Sequence, residues 1–108
     1  MIDINKIKTA IINKKIRFRQ HSAEMMIERG ISRKEVFNCI IDGEVIEEYI
    51  NDKPFPSCLF FHYDGKKPVH VVCSYNNIDD FTVIITVYSP DNDHFENDFK
   101  TRRKKHEQ

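Results

Sequence analysis

The chain has no tryptophan, and its 108 residues include only three glycines, four prolines and three cysteines. Three scattered glycines leave no Gly-rich loop to cradle a phosphate or dinucleotide. H-E-x-x-H and nucleophile-elbow motifs are also missing, so the common zinc-protease and α/β-hydrolase chemistries are excluded. Cys39, Cys58 and Cys73 are odd in number and lack C-x-x-C spacing, which argues against a disulfide framework or a zinc site. Cys73 alternates with valines in PVHVVCSY, the pattern of a reduced core thiol. His62 and His70, on different strands with seven residues between them, are a weak metal signature, and neither metal nor cofactor is expected. No apolar run approaches the ~20 residues of a membrane span. The first residues, MIDINKIKTAIINKK, interrupt their apolar pattern with lysines and offer no signal-peptide core. A cytoplasmic setting with no membrane partner is expected.

What is present suits one domain over residues 1–108: 40% hydrophobic residues suffice for a core at this length. The net charge of zero conceals an asymmetry. Residues 1–20 hold six Lys/Arg and one acid, and residues 100–108 hold five and one, so the termini carry +9 and the middle −9. A basic end such as KTRRKKH is usually a solvated tail, but paired with a basic N-terminus it makes a phosphate-attracting patch. Arg17, Arg19, Lys100, Arg102, Arg103 and Lys104 are the candidate RNA contacts.

Hydrophobic period separates two parts. Ile4, Ile7, Ile11 and Ile12 follow helical spacing, predicting a first amphipathic helix over residues 3–13. RQHSAEMMIERGIS predicts a second that closes at Gly30, a natural C′ residue. Ser32 and Glu35 form a capping box opening a third helix, about 33–42, that stops at Gly43. From Glu44 the period becomes two, and EVIEEYI, SCLFFHYD, PVHVVCSYN and DFTVIITVYSP read as four strands. DGKK and NNIDD supply tight turns between them. The expected fold is α+β: helices over about 1–43 packed on a four-stranded antiparallel sheet over about 44–90. A short helix capped by Asp91 and a basic tail would fill 91–108.

The second helix poses the functional question. At 100° per residue, Ala23, Met26 and Ile27 share the sector expected to face the core, while His21, Glu24, Met25, Glu28 and Arg29 share the opposite one. That polar sector is an ordinary solvated face or one wall of a site. Alternation puts His70, Val72 and Ser74 on one side of their strand. In FTVIITVY it puts Phe81, Val83, Ile85 and Val87 on an apolar side, opposite Thr82, Ile84, Thr86 and Tyr88. Pairing through NNIDD would bring His70 and Tyr88 to the same side of the sheet. Alone, each has a bland reading: a structural histidine, a rim tyrosine, a surface ion pair. Together, two imidazoles, a phenol and a guanidinium are the groups that metal-independent phosphodiester cleavage uses. Histidine transfers protons near neutral pH, and arginine holds the charged phosphate by paired hydrogen bonds.

The ordered set RFRQHSAEMMIERGIS, DGEVIEEY, PVHVVCSY and TVIITVYSP resembles a bacterial family described as domain of unknown function 4258, over roughly residues 16–90. The carrying features are a His-Ala-type helix start, E-R-G-I-S, G-E-x-I-E-x-Y, x-H-V-V and I-T-V-Y-x-P, in that order. Ser22 intervenes between His21 and Ala23, a departure from the pattern. The resemblance implies kinship with RelE-like toxins and the barnase–EndoU–colicin–RelE fold of metal-independent ribonucleases. It also implies an antitoxin partner, commonly a small zinc-finger protein. Carried over position by position, it points to His21, Arg29, His70 and Tyr88 as catalytic, with Tyr49 beside them. The expected function is therefore an endoribonuclease toxin of a type II toxin–antitoxin pair, with RNA as substrate. The rival is a non-catalytic protein- or RNA-binding module, in which those side chains would be scattered.

Overall fold

The computed structural model describes residues 2–104, which form three helices against one five-stranded sheet. Helix α1 spans Ile4–Ile12, with Asp3 accepting from the Lys6 amide at 3.1 Å as N-cap. Strand β1 is Ile16–Phe18, α2 is Gln20–Arg29 and α3 is Arg33–Asp42. Strands β2 (Glu44–Tyr49), β3 (Ser57–Tyr63), β4 (Pro68–Asn76) and β5 (Phe81–Tyr88) follow as an antiparallel meander.

The helix boundaries sit where the cap chemistry puts them. Gly30 closes α2 in the left-handed region (φ 64°), and the next amide, Ile31, reaches back to Met26 O at 2.9 Å. Ser32 and Glu35 make both bonds of the capping box, at 3.1 and 2.8 Å. Gly43 ends α3 for a different reason. Its backbone is extended, but a Cβ there would overlap the carbonyl oxygens of Cys39 and Phe61. Lys8 of α1 donates to Ile40 O (2.7 Å) and Ile41 O (2.9 Å), satisfying carbonyls that α3 leaves open at its end.

Two expectations are corrected. The sheet has five strands, in the order β1-β5-β4-β3-β2, because IRF pairs parallel to β5. Three residues show no alternation worth reading, and their partners lie more than sixty positions away, so only tertiary pairing reveals this strand. Residues 91–100 are not a helix. Asp91 does accept from the Asp93 and His94 amides, both at 3.0 Å, but only one turn forms. Asp98 repeats the device with the Lys100 and Thr101 amides, and an isolated bridge joins Phe95 to Arg102. A run this rich in Asp and Asn satisfies its backbone through side chains, which competes with helix formation. The family resemblance placed the fold among RelE-like proteins; what is observed is the coarser mixed α+β arrangement.

One face of the sheet is the core. Ile7 and Ile11 of α1 and Val36, Cys39 and Ile40 of α3 pack on Cys58, Phe60, Val71, Cys73, Ile84 and Val87. All three cysteines are free and buried, and burial pushes the Cys39 thiol up to about 12. The apolar sector of α2 is rotated from the expected one. Ser22, Met25 and Met26 are buried, whereas Ile27 is 83% exposed. The helix lies beside β5, where β1 has ended, and Ser22 fits this tight contact because its hydroxyl bonds Arg19 O at 2.7 Å.

Two bulges decide which side chains share the other face. In β5, Cys73 pairs with Ile84 and Val72 with Thr86, leaving Ile85 as the extra residue. Strict alternation therefore fails along FTVIITVY. Thr82, Ile84 and Val87 face the core, and Val83, Thr86 and Tyr88 share the side of Ser74, Val72 and His70. Buried Thr82 satisfies its hydroxyl on Ile7 O at 3.2 Å. In β2 the extra residue is Ile46, and Glu44, Glu47 and Tyr49, paired with Phe61, Leu59 and Ser57, come to that same second side. No described helix is long and apolar enough to cross a membrane.

Candidate functional site

The second face is covered by residues 91–104, without a helix. Phe95 is 2% exposed and meets the His70 ring edge-on, with centroids 4.7 Å apart. Two ion pairs fasten the segment to β2, Lys100 to Glu44 at 3.0 Å and Arg102 to Glu47 at 2.8 Å, and a third, Arg103 to Glu96 at 2.9 Å, lies within it. Three of the cations expected to attract RNA are thus already paired internally, while Lys104 is exposed.

His70 and Tyr88 lie on the same side of the sheet, as expected, and the bulge at Ile85 makes them direct cross-strand partners. Nδ1 of His70 lies 3.2 Å from the Tyr88 hydroxyl, and Nε2 lies 2.7 Å from Phe99 O. A carbonyl only accepts, so Nε2 carries the proton and Nδ1 takes the hydrogen bond of Tyr88. Burial lowers the His70 pKa, against the opposing pull of the Phe99 carbonyl and the Glu47 charge. The ring is therefore held neutral. It is 0% exposed and packs against Phe61, Tyr88 and Phe95, so it orients Tyr88 and does not itself reach solvent. Burial also raises the Tyr88 pKa, and nearby Arg102 partly opposes it.

Tyr88 opens onto a cleft of about 270 Å³ lined by Arg29, Ser89, Asp91, His94, Phe95 and Arg102, among others. Arg29 enters from the end of α2 and has no ion-pair partner among the described residues. Arg102 lies over the Phe95 ring, 4.9 Å from its centroid, with its Nε on Glu47. His94 is an exposed imidazole whose Nδ1 sits 2.8 Å from Asp91 Oδ1, which leaves Nε2 toward solvent. A phenol, two guanidiniums and a carboxylate-held imidazole thus share one concavity. That set suits a charged tetrahedral or pentavalent oxyanion better than an apolar ligand.

Of the four residues expected to be catalytic, Arg29 and Tyr88 line the cleft, and His70 lies behind Tyr88. His21 is exposed on the first turn of α2 and is not among the residues lining the cleft. The expected RNA contacts divide similarly. Arg102 is in the cleft, but Arg17 stacks on Phe81, at the opposite end of β5 from Tyr88. Arg19 occupies the N-cap position of α2 and is exposed. Tyr49 donates to Glu47, beneath Arg102, and burial followed by the Glu47 carboxylate raises its pKa to about 12.

Sequence reasoning missed His94, Asp91 as its partner, and Glu47. The D-x-x-H spacing of Asp91 and His94 was available, but it was absorbed into an expected helix. The Glu44/Glu47/Tyr49 set was hidden by the bulge at Ile46. His62 and His70 do not form a pair, since adjacent positions on β3 turn to opposite faces and His62 is opposite Val69 on the core side. Among the described residues, no group of three or more His, Cys, Asp or Glu is placed to hold a metal ion.

Compared with known proteins, the chain matches neither a curated protein nor a solved structure. It does match one family, described as a domain of unknown function (DUF4258), over residues 18–89. That span runs from the end of β1 to just past β5 and contains Arg29, Glu47, Tyr49, His70 and Tyr88, while His94 and Arg102 lie beyond it. With two thirds of its length inside the match, the chain belongs to the DUF4258 family.

Proposed function

We propose that the protein is a metal-independent endoribonuclease, the toxin of a type II toxin–antitoxin pair, with the Tyr88 cleft as its active site. The observation that carries the reading is the convergence of Arg29, Tyr88, His94 and Arg102 on one cleft. The resemblance to RelE-like toxins supports it from the sequence side, and a cognate antitoxin, a small zinc-finger protein by that resemblance, is the expected partner. The nucleophile is the substrate's own 2′-hydroxyl, so the protein must move protons and stabilise charge. Nε2 of His94 takes the 2′-hydroxyl proton while Asp91 steadies the imidazolium. Arg29 and Arg102 hold the pentavalent phosphate. Tyr88, held at the cleft wall by His70, turns its hydroxyl from His70 Nδ1 to the departing 5′-oxygen and gives it the proton, and solvent returns one to the phenolate. The histidine role expected for His21 or His70 thus passes to His94.

The test is cleavage of a short RNA in EDTA. Arg29→Ala, His94→Ala and Tyr88→Phe should each lower the rate by about two to four orders of magnitude. His21→Ala should leave it unchanged. Loss of activity in EDTA, or parental rates in all three cleft variants, would sink the proposal. One observation favours the rival binding module: His70 is sealed and three tail cations are paired internally. If the parent binds RNA or an antitoxin without cleaving RNA, the rival is correct.

A further inference from the structure

The motif G-E-x-I-E-x-Y takes no part in the steps above, yet the bulge at Ile46 turns Glu44, Glu47 and Tyr49 toward the face that carries the cleft. We propose that Glu47 and Tyr49 are positioning residues that hold Arg102 in the orientation in which it grips an oxyanion. The inference rests on the phosphodiester reading of the cleft. Glu47 Oε2 lies 2.8 Å from Arg102 Nε, and Glu47 Oε1 accepts the Tyr49 hydroxyl, so both carboxylate oxygens are engaged. The guanidinium rests on the Phe95 ring, and Lys100–Glu44 fastens the same segment two residues earlier. With Nε committed to Glu47, the two terminal nitrogens form the fork that matches two phosphate oxygens. An arginine carries as much rotamer freedom as any side chain, and the Phe95 ring and the isolated bridge leave its guanidinium free to turn in the plane of the stack unless Glu47 holds Nε. Glu47 supplies this hold as an anion: burial alone would raise its pKa, but the bonds from Arg102 and Tyr49 outweigh burial and lower it.

Positioning and mere charge neutralisation predict opposite signs. A carboxylate that only neutralises Arg102 would, once removed, leave the cleft more attractive to anions. A positioning carboxylate leaves it less so. The probes are a short DNA oligonucleotide, which lacks the 2′-hydroxyl and cannot be cleaved by this route, and the RNA of the same sequence. Glu47→Ala and Arg102→Ala should each weaken binding of the DNA about tenfold and lower kcat on the RNA by about ten- to a hundredfold. The double variant should be no worse than Arg102→Ala alone. Tyr49→Phe, which keeps the ring and the fold, should show a smaller loss of the same kind. Melting curves confirm that each variant is folded. Tighter DNA binding by Glu47→Ala, losses that multiply in the double variant, or a parent that binds no DNA would each overturn the inference. A parent that binds DNA in a Glu47-dependent way but never cleaves RNA would leave the clamp standing and remove only the nuclease reading.

Discussion

The two faces of the sheet are built by different means. The core face is closed by α1 and α3 through apolar contacts among side chains such as Ile7, Ile40, Phe60 and Val71, all but unexposed. The opposite face carries Glu44, Glu47, Tyr49, His70 and Tyr88, and is closed by residues 91–104 through ion pairs, two Asp-capped turns and one buried phenylalanine. Apolar burial is not screened by salt and responds little to pH, whereas exposed ion pairs are screened and a buried imidazole titrates. The first face should therefore set the global stability, and the second should set how the cleft responds to its surroundings.

The largest effect should come from the core face. Phe60→Ala should cost about 3–5 kcal/mol, and that loss should be the same at low and high salt in urea melts. A strong salt dependence would erase the distinction between the faces. Next comes His70→Ala, which removes a fully buried ring and strands Phe99 O; about 2–4 kcal/mol should be lost. His70 lies on the polar side of the sheet, where the sequence suggests a substitution should leave folding intact; its burial reverses that expectation.

The same residue gives the second face a pH signature. The folded pKa of His70 is lowered by burial, so below the ordinary histidine value of about 6.5 the unfolded chain binds a proton that the folded chain refuses. Stability is then fully present above that value and falls as pH drops toward the folded pKa. Glu47, Asp64, Asp91 and Asp98 are also lowered and have the same sign, but their loss belongs to a more acidic window, below the ordinary carboxylate range. Thermal melts from pH 7.5 to 5.0 should show the parent losing stability in a step that a His70→Phe variant lacks; parallel curves would place the titration elsewhere.

Smaller effects sharpen the contrast. Ser32→Ala, which breaks a capping box on the helical side, should cost about 1 kcal/mol in chemical denaturation. Lys100→Ala, which breaks an exposed pair on the other side, should cost at most about 0.5 kcal/mol, and that cost should vanish in high salt.

Legibility followed the same divide. Helix ends marked by Gly30, Ser32 and Gly43, and the turns at DGKK and NNIDD, are local chemistry, and the sequence exposes them. Asp64 and Asn76 accept the amide bonds that make those turns. The shared side of His70 and Tyr88 was only conditionally readable, since a regular hairpin would set Val87 opposite His70 and the bulge at Ile85 is what brings Tyr88 there. The parallel strand at Ile16–Phe18 was not, since its partner is remote and its three residues show no period. The rotation of α2 was misread because Ile27 looks like core by type, while a serine fits the close contact that the helix makes. The cleft is largely legible: Arg29 and Tyr88 lie inside the family-matched region and Arg102 in the basic run, whereas His94 sits in a segment where Asp91 reads as a helix cap and not as the partner of an imidazole.

The bulge at Ile85 has a consequence for reading related sequences. Along a regular strand, inserting or deleting one residue in a loop changes length and little else. At Ile85 the extra residue is the point where the phase of the strand is reset, so Ile84 and Val87 both point to the core although three positions separate them. A relative lacking that residue would have a regular strand with Thr86, Val87 and Tyr88 still opposite Val72, Val71 and His70. A relative that kept the residue but paired without the bulge would instead set Val87 opposite His70 and turn Tyr88 to the core side opposite Val69, exchanging solvent-facing chemistry for hydrocarbon with no substitution at either position. In this family, then, a one-residue gap at Ile85 keeps Tyr88 on the cleft side and is not by itself a change of activity; what matters is whether the count of residues agrees with the presence of the bulge.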